Sequence, residues 1–173
     1  MNSEEMKSLI RDIADFPRPG IIFKDLTPLL ANPRALAAMV DQMAEPFLGK
    51  VDCVLGIESR GFIVGAPLAY RLGVGLAIAR KPGKLPYQRI SQQYQLEYGT
   101  DALELHRDGI APGSRVLVAD DLLATGGTAH AAIGLVNQLE GQVVGCAFVV
   151  ELAFLNGRDA LSPFDCFSLL RYE

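Results

Sequence analysis

One pattern occurs twice along this chain and restricts its fold more than anything else: an apolar run rich in branched residues, a helical segment, then a second apolar run. The first instance is VDCVLGI (51–57), an apolar helical stretch around residues 62–72, and VGLAIA (74–79). The second is RVLVAD (115–120), a segment with Ala129, Ala132, Ile133 and Val136 on one helical face, and VVGCAFVVEL (143–152). Alternation of this kind predicts an α/β fold with a central, mainly parallel sheet flanked by helices. Between the two units, residues 81–107 hold Pro82, Gly83 and Pro86 and alternate weakly in YQLEYG and DALELH, which predicts a hairpin bearing a mobile loop. Ahead of the first unit, Met6, Leu9, Ile10 and Ile13 are spaced for one helix face starting near Ser3. FPRPGIIFKDLTPLL (16–30) carries Pro17, Pro19, Gly20 and Pro28 and predicts an irregular arm with little room for helix. Asn32 then caps a helix with Pro33 at its first position and Leu36, Met39, Val40, Met43 and Phe47 at helical spacing. At 173 residues the expectation is one domain, 1–173, with a helix and arm in 1–32 and a loop and hairpin in 80–107.

Charge and composition narrow the partners. Half the residues are hydrophobic, and the formal net charge is −4, so no general positive field exists to hold nucleic acid. The longest apolar stretches are broken by Arg71 and Glu151, short of the roughly 18 residues a membrane span needs. MNSEEMKSLIRD lacks the cationic start and apolar run of a signal peptide. A soluble, cytoplasmic protein is expected. Cys53, Cys146 and Cys166 are odd in number and form no CxxC pair, which predicts buried reduced thiols rather than disulfides or a zinc site. His106 and His130 stand in no ligand spacing.

In open parallel sheets ligands bind beyond the carboxyl ends of the strands. VLVADDLLATGGT (116–128) falls at such an end. Gly126 and Gly127 let backbone approach an anion, Thr125 and Thr128 offer hydroxyls, and a helix start after Ala124 adds unpaired amides and a favourable dipole. That combination cradles a monophosphate. Asp120 and Asp121 repel phosphate but can accept from vicinal ribose hydroxyls or hold a cation through water. Taken alone, the acidic pair reads equally well as a strand cap without a ligand. Neither GxxxxGK[ST] nor a GxGxxG after the first strand occurs, so P-loop and Rossmann nucleotide sites are not supported.

This strand, acidic pair and Thr-Gly-Gly-Thr loop resemble the signature of the type I phosphoribosyltransferases for 5-phosphoribosyl 1-diphosphate (PRPP). Outside it, FPRPGIIFKDLTPLL, GIESRGF (56–62), RKPGKLP (80–86), LEYG (96–99) and VEL (150–152) resemble the adenine-specific branch of that family. The resemblance implies the type I phosphoribosyltransferase fold, with a small N-terminal hood or arm and a flexible loop hairpin. It further implies attack of adenine N9 on C1 of PRPP, giving AMP and pyrophosphate in purine salvage, by a homodimer. Magnesium would be held mainly by PRPP and waters, near Asp120 and Asp121. Asp120, Asp121 and Ala124 to Thr128 would bind the ribose phosphate; Ser59 and Arg60 would face pyrophosphate. In the family the peptide before this arginine is often strained, even cis. Arg80, Lys81 and Lys84 would close over the anion, one of them reaching the partner's site. Glu97 would exchange the proton at purine N7, with Tyr98 helping to close the site. Ile22, Phe23 and Lys24 of the arm, with Leu152, would hold adenine, the arm's backbone carbonyls accepting from its 6-amine.

Each of these residues has a plainer reading without the resemblance. Arg60 would be a surface ion-pair residue, 80–84 a solvated basic loop, Glu97 a solvated strand-edge glutamate, and Ile22 with Phe23 a staple onto the core. Two other functions share the pattern. A PRPP-sensing regulator would need a DNA-reading module, for which an acidic chain with about fifteen residues ahead of the arm leaves little room. A 6-oxopurine transferase would differ mainly in the arm.

Overall fold

The computed structural model describes residues 1–95 and 100–173. Its centre is a five-stranded sheet in the order β4-β3-β7-β8-β9, built from β3 (Cys53–Ile57), β4 (Gly75–Ala79), β7 (Arg115–Leu123), β8 (Gln142–Leu152) and β9 (Cys166–Tyr172). Every neighbouring pair is parallel. Side chains of β7 alternate between the two faces as the pleat requires. Leu117 and Ala119 join a core with Met39 and Met43 of α3 (Pro33–Ala44) and Val64 and Leu68 of α4 (Arg60–Leu72). Val116 and Val118 join the opposite core with Ile133 and Val136 of α5 (Gly127–Gln138). That second core also takes Tyr94, Leu103 and Leu105 from the antiparallel hairpin β5 (Arg89–Gln95) and β6 (Thr100–His106).

Local signals act where the sequence places them. The Asn32 side chain accepts from the amides of Arg34 and Ala35 and starts α3. Gly73, at φ +70°, lets α4 stop in a left-handed residue that a side chain would strain.

The N-terminal segment departs from expectation. Its helix, α1 (Ser3–Lys7), ends after five residues, and Arg11–Ala14 becomes strand β1, paired antiparallel with β2 (Ile22–Asp25). Pairing between Ile13 and Phe23 overrides the helical spacing of Met6, Leu9, Ile10 and Ile13. The arm is also less irregular than its prolines imply, because β2 fits between Gly20 and Pro28, and α2 (Thr27–Ala31) takes Pro28 in its first turn, where no amide is needed. Strand β7 runs on past Asp120 to Leu123, so Asp121, expected in the loop, sits inside the strand with Asp120. Strand β9 extends the sheet past the last expected run. Of the three free thiols only Cys146 is fully buried, Cys53 and Cys166 being half-buried.

Candidate active site

Chain order reverses in space between β3 and β7: β4 lies on one side of the pair, and β8 and β9 on the other. Beyond the carboxyl ends of two such strands a crevice forms that no loop fills, the usual ligand position in this architecture. Here the two loops flanking it both start helices. Ser59 precedes α4 and Gly126 precedes α5, and neither helix start is capped by a side chain. Two sets of unpaired amides therefore border one crevice, an arrangement that favours an anion.

The β7 loop forms the smaller part. Asp120 and Leu122 to Ala129 line a cavity of about 80 Å³, far below the roughly 300–1,000 Å³ of a pocket that encloses a whole drug-sized ligand. It is a cradle for one group. Gly126 takes φ +84°, and a Cβ there would lie 2.4 Å from the Gly157 carbonyl oxygen. Conversely, a Cβ on Gly157 would lie 2.2 Å from the Ala124 carbonyl oxygen. The two glycines thus pack backbone on backbone, and the segment around Gly157 buttresses the cradle from behind. His130 Nδ1 lies 2.9 Å from the Ala160 carbonyl oxygen, which can only accept, so Nδ1 is the protonated ring nitrogen and ties α5 to the same segment. Arg158 anchors that segment in turn, donating to both carboxylate oxygens of the buried Glu151 at 2.7 Å. Neither Gly157 nor Arg158 stands out in the sequence. Glycine in a loop is too common to signal a contact made through folding.

Arg60 joins the two loops. Its Nε lies 2.8 Å from Asp121 Oδ2, although the N–H is not aimed at that oxygen, which has no hydrogen-bond partner among the described residues. The guanidinium also lies over the Phe23 ring, 5.0 Å from its centroid, at cation–π distance. Asp120 accepts from the Asp121 amide, but burial first and the neighbouring Asp121 charge second push its carboxyl well above the usual range. Gly61 makes this proximity possible: a Cβ there would lie 2.8 Å from Asp120 Oδ1. The cis peptide sits one bond upstream of the expected position, at Glu58–Ser59 rather than Ser59–Arg60.

The basic segment divides. Arg80 and Lys84 turn toward Glu58, beside Ser59, whereas Lys81 donates its ammonium to Tyr94, at 2.6 Å, and to Asp101 in the hairpin. Burial works against the Lys81 charge, yet Asp101 and Tyr94 hold its pKa above the ordinary value. Arg80 and Lys84 thus come to the crevice loop, and the Lys81 side chain does not.

In the arm, Phe23 alone of the three expected residues turns its side chain to Arg60. Its ring packs edge-on against Phe16 at 5.2 Å. Ile22 is exposed, and Lys24 donates to Asp12 at 2.7 Å beneath the Tyr172 ring. Leu152 is half-buried at the end of β8, in register with Tyr172. Strand β2 pairs only with β1 among the described residues, so its outer edge keeps free carbonyls and amides. Glu97 and Tyr98 lie outside the described residues. The described residues contain no cluster of three or more acidic, histidine or cysteine side chains placed to hold a metal.

Known proteins resemble this chain along nearly its whole length. Residues 24–169 match the family model of the phosphoribosyl transferase domain. The adenine phosphoribosyltransferase of Syntrophotalea carbinolica is 54% identical over 170 residues, 98% of this chain and 99% of that one. The crystal structure of adenine phosphoribosyltransferase from Thermoanaerobacter pseudethanolicus superposes with a TM-score of 0.96 at 49% identity, over 99% of this chain and 100% of the other. The Saccharomyces cerevisiae enzyme, solved with an imino-altritol bisphosphate and adenine, superposes with a TM-score of 0.92 at 41% identity, covering 97% and 98%. With a phosphoribosyl transferase domain matched over residues 24–169 and 54% identity to such an enzyme over 98% of its length, the chain belongs to the adenine phosphoribosyltransferase family.

Proposed function

We propose that this chain transfers the 5-phosphoribosyl group of PRPP to N9 of adenine, giving AMP and pyrophosphate for purine salvage. One observation carries the assignment of ends: Arg60 touches both Asp121 of the phosphate strand and Phe23 of the arm, so a substrate in the crevice meets all three. The 5-phosphate takes the cradle of Ala124, Thr125, Gly126, Gly127 and Thr128. Ribose hydroxyls donate to Asp120 and Asp121, and pyrophosphate lies toward Ser59, Arg60, Arg80 and Lys84. Lys81, whose amide goes to Glu58, reaches pyrophosphate with its ammonium once this leaves Asp101 on substrate binding.

In the reaction the bond from C1 to the pyrophosphate oxygen breaks while the N9–C1 bond forms. Negative charge collects on pyrophosphate, where fixed cations and helix-start amides stabilise it. Phe23 offers an apolar face to the purine, with Ile22, Lys24 and Leu152 around it. The free edge of β2 accepts from the 6-amine; a 6-oxo purine would set acceptor against acceptor. Glu97 takes up the proton shift at N7, and Tyr98 helps close the site.

Two carboxylates without a third protein ligand suit magnesium, which keeps its waters and arrives with substrate phosphates. Asp120 and Asp121, the latter with a buried oxygen that accepts no hydrogen bond from the described residues, would hold it, and it would supply charge neutralisation at pyrophosphate. No described helix is long and apolar enough to cross a membrane. Three free thiols suit a reducing compartment such as the cytoplasm. The exposed Ile63, Tyr70 and Leu76 of α4 and β4 supply an apolar face for a homodimer.

Incubating the protein with PRPP, magnesium and adenine, hypoxanthine or guanine tests the reading. AMP and pyrophosphate from adenine alone are expected. IMP or GMP without AMP would overturn the base, and no product with any base would overturn the reaction.

A further inference from the structure

Glu58 follows β3 directly and lies between two loops already assigned to the pyrophosphate end, yet no step of the reaction uses it. Its side chain is only 8% exposed and surrounded by donors. Oε2 accepts from the Lys81 amide at 2.8 Å and Arg80 Nε at 3.3 Å. Oε1 accepts from Lys84 Nζ at 2.5 Å and Arg80 Nη2 at 3.4 Å. Burial alone would favour the neutral acid; Lys84, the Lys81 amide and Arg80 together prevail and hold the carboxyl down to about 2. Glu104 fastens the same turn from its other side, accepting from the Gly83 amide at 2.9 Å and pairing with Arg89.

This cluster is not neutral. One carboxylate faces two cations, and Arg80 and Lys84 remain 31% and 49% exposed. Lys84 has three ammonium donors and gives one to Glu58, so the rest can meet another anion. Without a shared counter-charge, Arg60, Arg80 and Lys84 would repel one another and their long side chains would spread into solvent. A counter-charge fixed on the β3 end holds Arg80 and Lys84 at the loop that carries Ser59 and Arg60 before any ligand arrives.

We propose that Glu58 is a positioning residue, gathering Arg80 and Lys84 beside Ser59 and Arg60 into one cationic surface for the pyrophosphate group of PRPP. The proposal rests on the reading above that Arg80 and Lys84 take that end of the substrate. The alternative role, a clasp that withholds the two cations from substrate, predicts effects of the opposite sign.

Steady-state kinetics on the full chain with Glu58→Gln, Lys84→Met and the double variant separates these. Glu58→Gln is expected to raise the KM for PRPP about tenfold, within the usual coupling of contacting residues, and to weaken pyrophosphate inhibition in step. The KM for adenine should stay unchanged. In the Lys84→Met background the same change should have a much smaller effect, which a general structural role would not produce. An unchanged or lowered KM for PRPP in Glu58→Gln, or strict additivity in the double variant, overturns the proposal. No effect of Lys84→Met on PRPP overturns both this and the underlying assignment, whereas an effect of Lys84→Met with none from Glu58→Gln overturns the positioning role alone. If Glu58→Gln does not fold, Glu58→Asp carries the test, since it keeps the charge one methylene short and should shift PRPP and pyrophosphate in the same direction.

Discussion

Arg60 shows how much one side chain can bring together when it follows a strand end. It contacts Asp121 on one side and the Phe23 ring on the other, while its own backbone opens α4. Replacing it by alanine should lower kcat on the order of 100-fold, the scale seen when a preorganised donor at developing charge is removed. Arg60→Lys should recover only part, because the ammonium keeps the charge but loses the planar fork. Measured kcat for both variants checks this. Glu58 predicts a pH effect. Its carboxyl is lowered from 4.5 to about 2 in the folded chain, so its contribution to stability is complete above 4.5 and lost as pH falls toward 2. Asp120, raised by burial and by Asp121, acts in the opposite sense, favouring the fold at low pH. Urea titrations across this window should show stability falling with acid, and Glu58→Gln should flatten part of that slope.

At the scale of elements, glycines decide how closely loops approach. Gly157→Ala would drive a Cβ into the Ala124 carbonyl and push the cradle forward. Overpacking of this kind costs about 1–3 kcal/mol. If most of it falls on the ligand-shaped loop, the KM for PRPP should rise about tenfold or more, with the KM for adenine little altered. Kinetics with each substrate varied in turn checks the split. The elements also show what a sequence reader can and cannot see. Helix α3 and the apolar strands of the sheet were legible because Asn32, Pro33 and runs such as VLVAD signal within a few residues of themselves. The β1–β2 pair was not, since Ile13 and Phe23 meet only after the chain turns back on itself. The same limit applies at the site. The cradle of 124–128 could be read locally, but Glu58 meets partners 22 to 26 residues away, Gly157 meets Gly126 and Ala124 across a loop contact, and Arg158 reaches Glu151 only because the chain turns between them.

At the scale of the whole molecule, the uncovered face of α4 and β4 bears on assembly. Tyr70 is 89% exposed, Ile63 is exposed two turns earlier on the same side of α4, and Leu76 is exposed on the edge strand that follows. A monomer rarely leaves such residues together without a partner. Sedimentation should give a dimer for the native chain, and Tyr70→Asp with Ile63→Asp should shift it toward monomer. A monomeric native chain would remove the proposed homodimer.

The position of β7 has a consequence for motion. It is the middle strand of five, bonded to β3 on one side and β8 on the other, with a helix-lined core on each face. Amide protons in such a strand exchange with solvent only when the whole fold opens, while edge strands and two-stranded ribbons exchange through local fraying. The proposed phosphate cradle is thus mounted on the part of the chain that opens last, and the proposed purine-binding arm on a two-stranded ribbon that opens early. Deuterium uptake should be slow through 116–121 and fast through 11–25 in the free protein, so that bound purine slows exchange at one end of the site far more than phosphate does at the other.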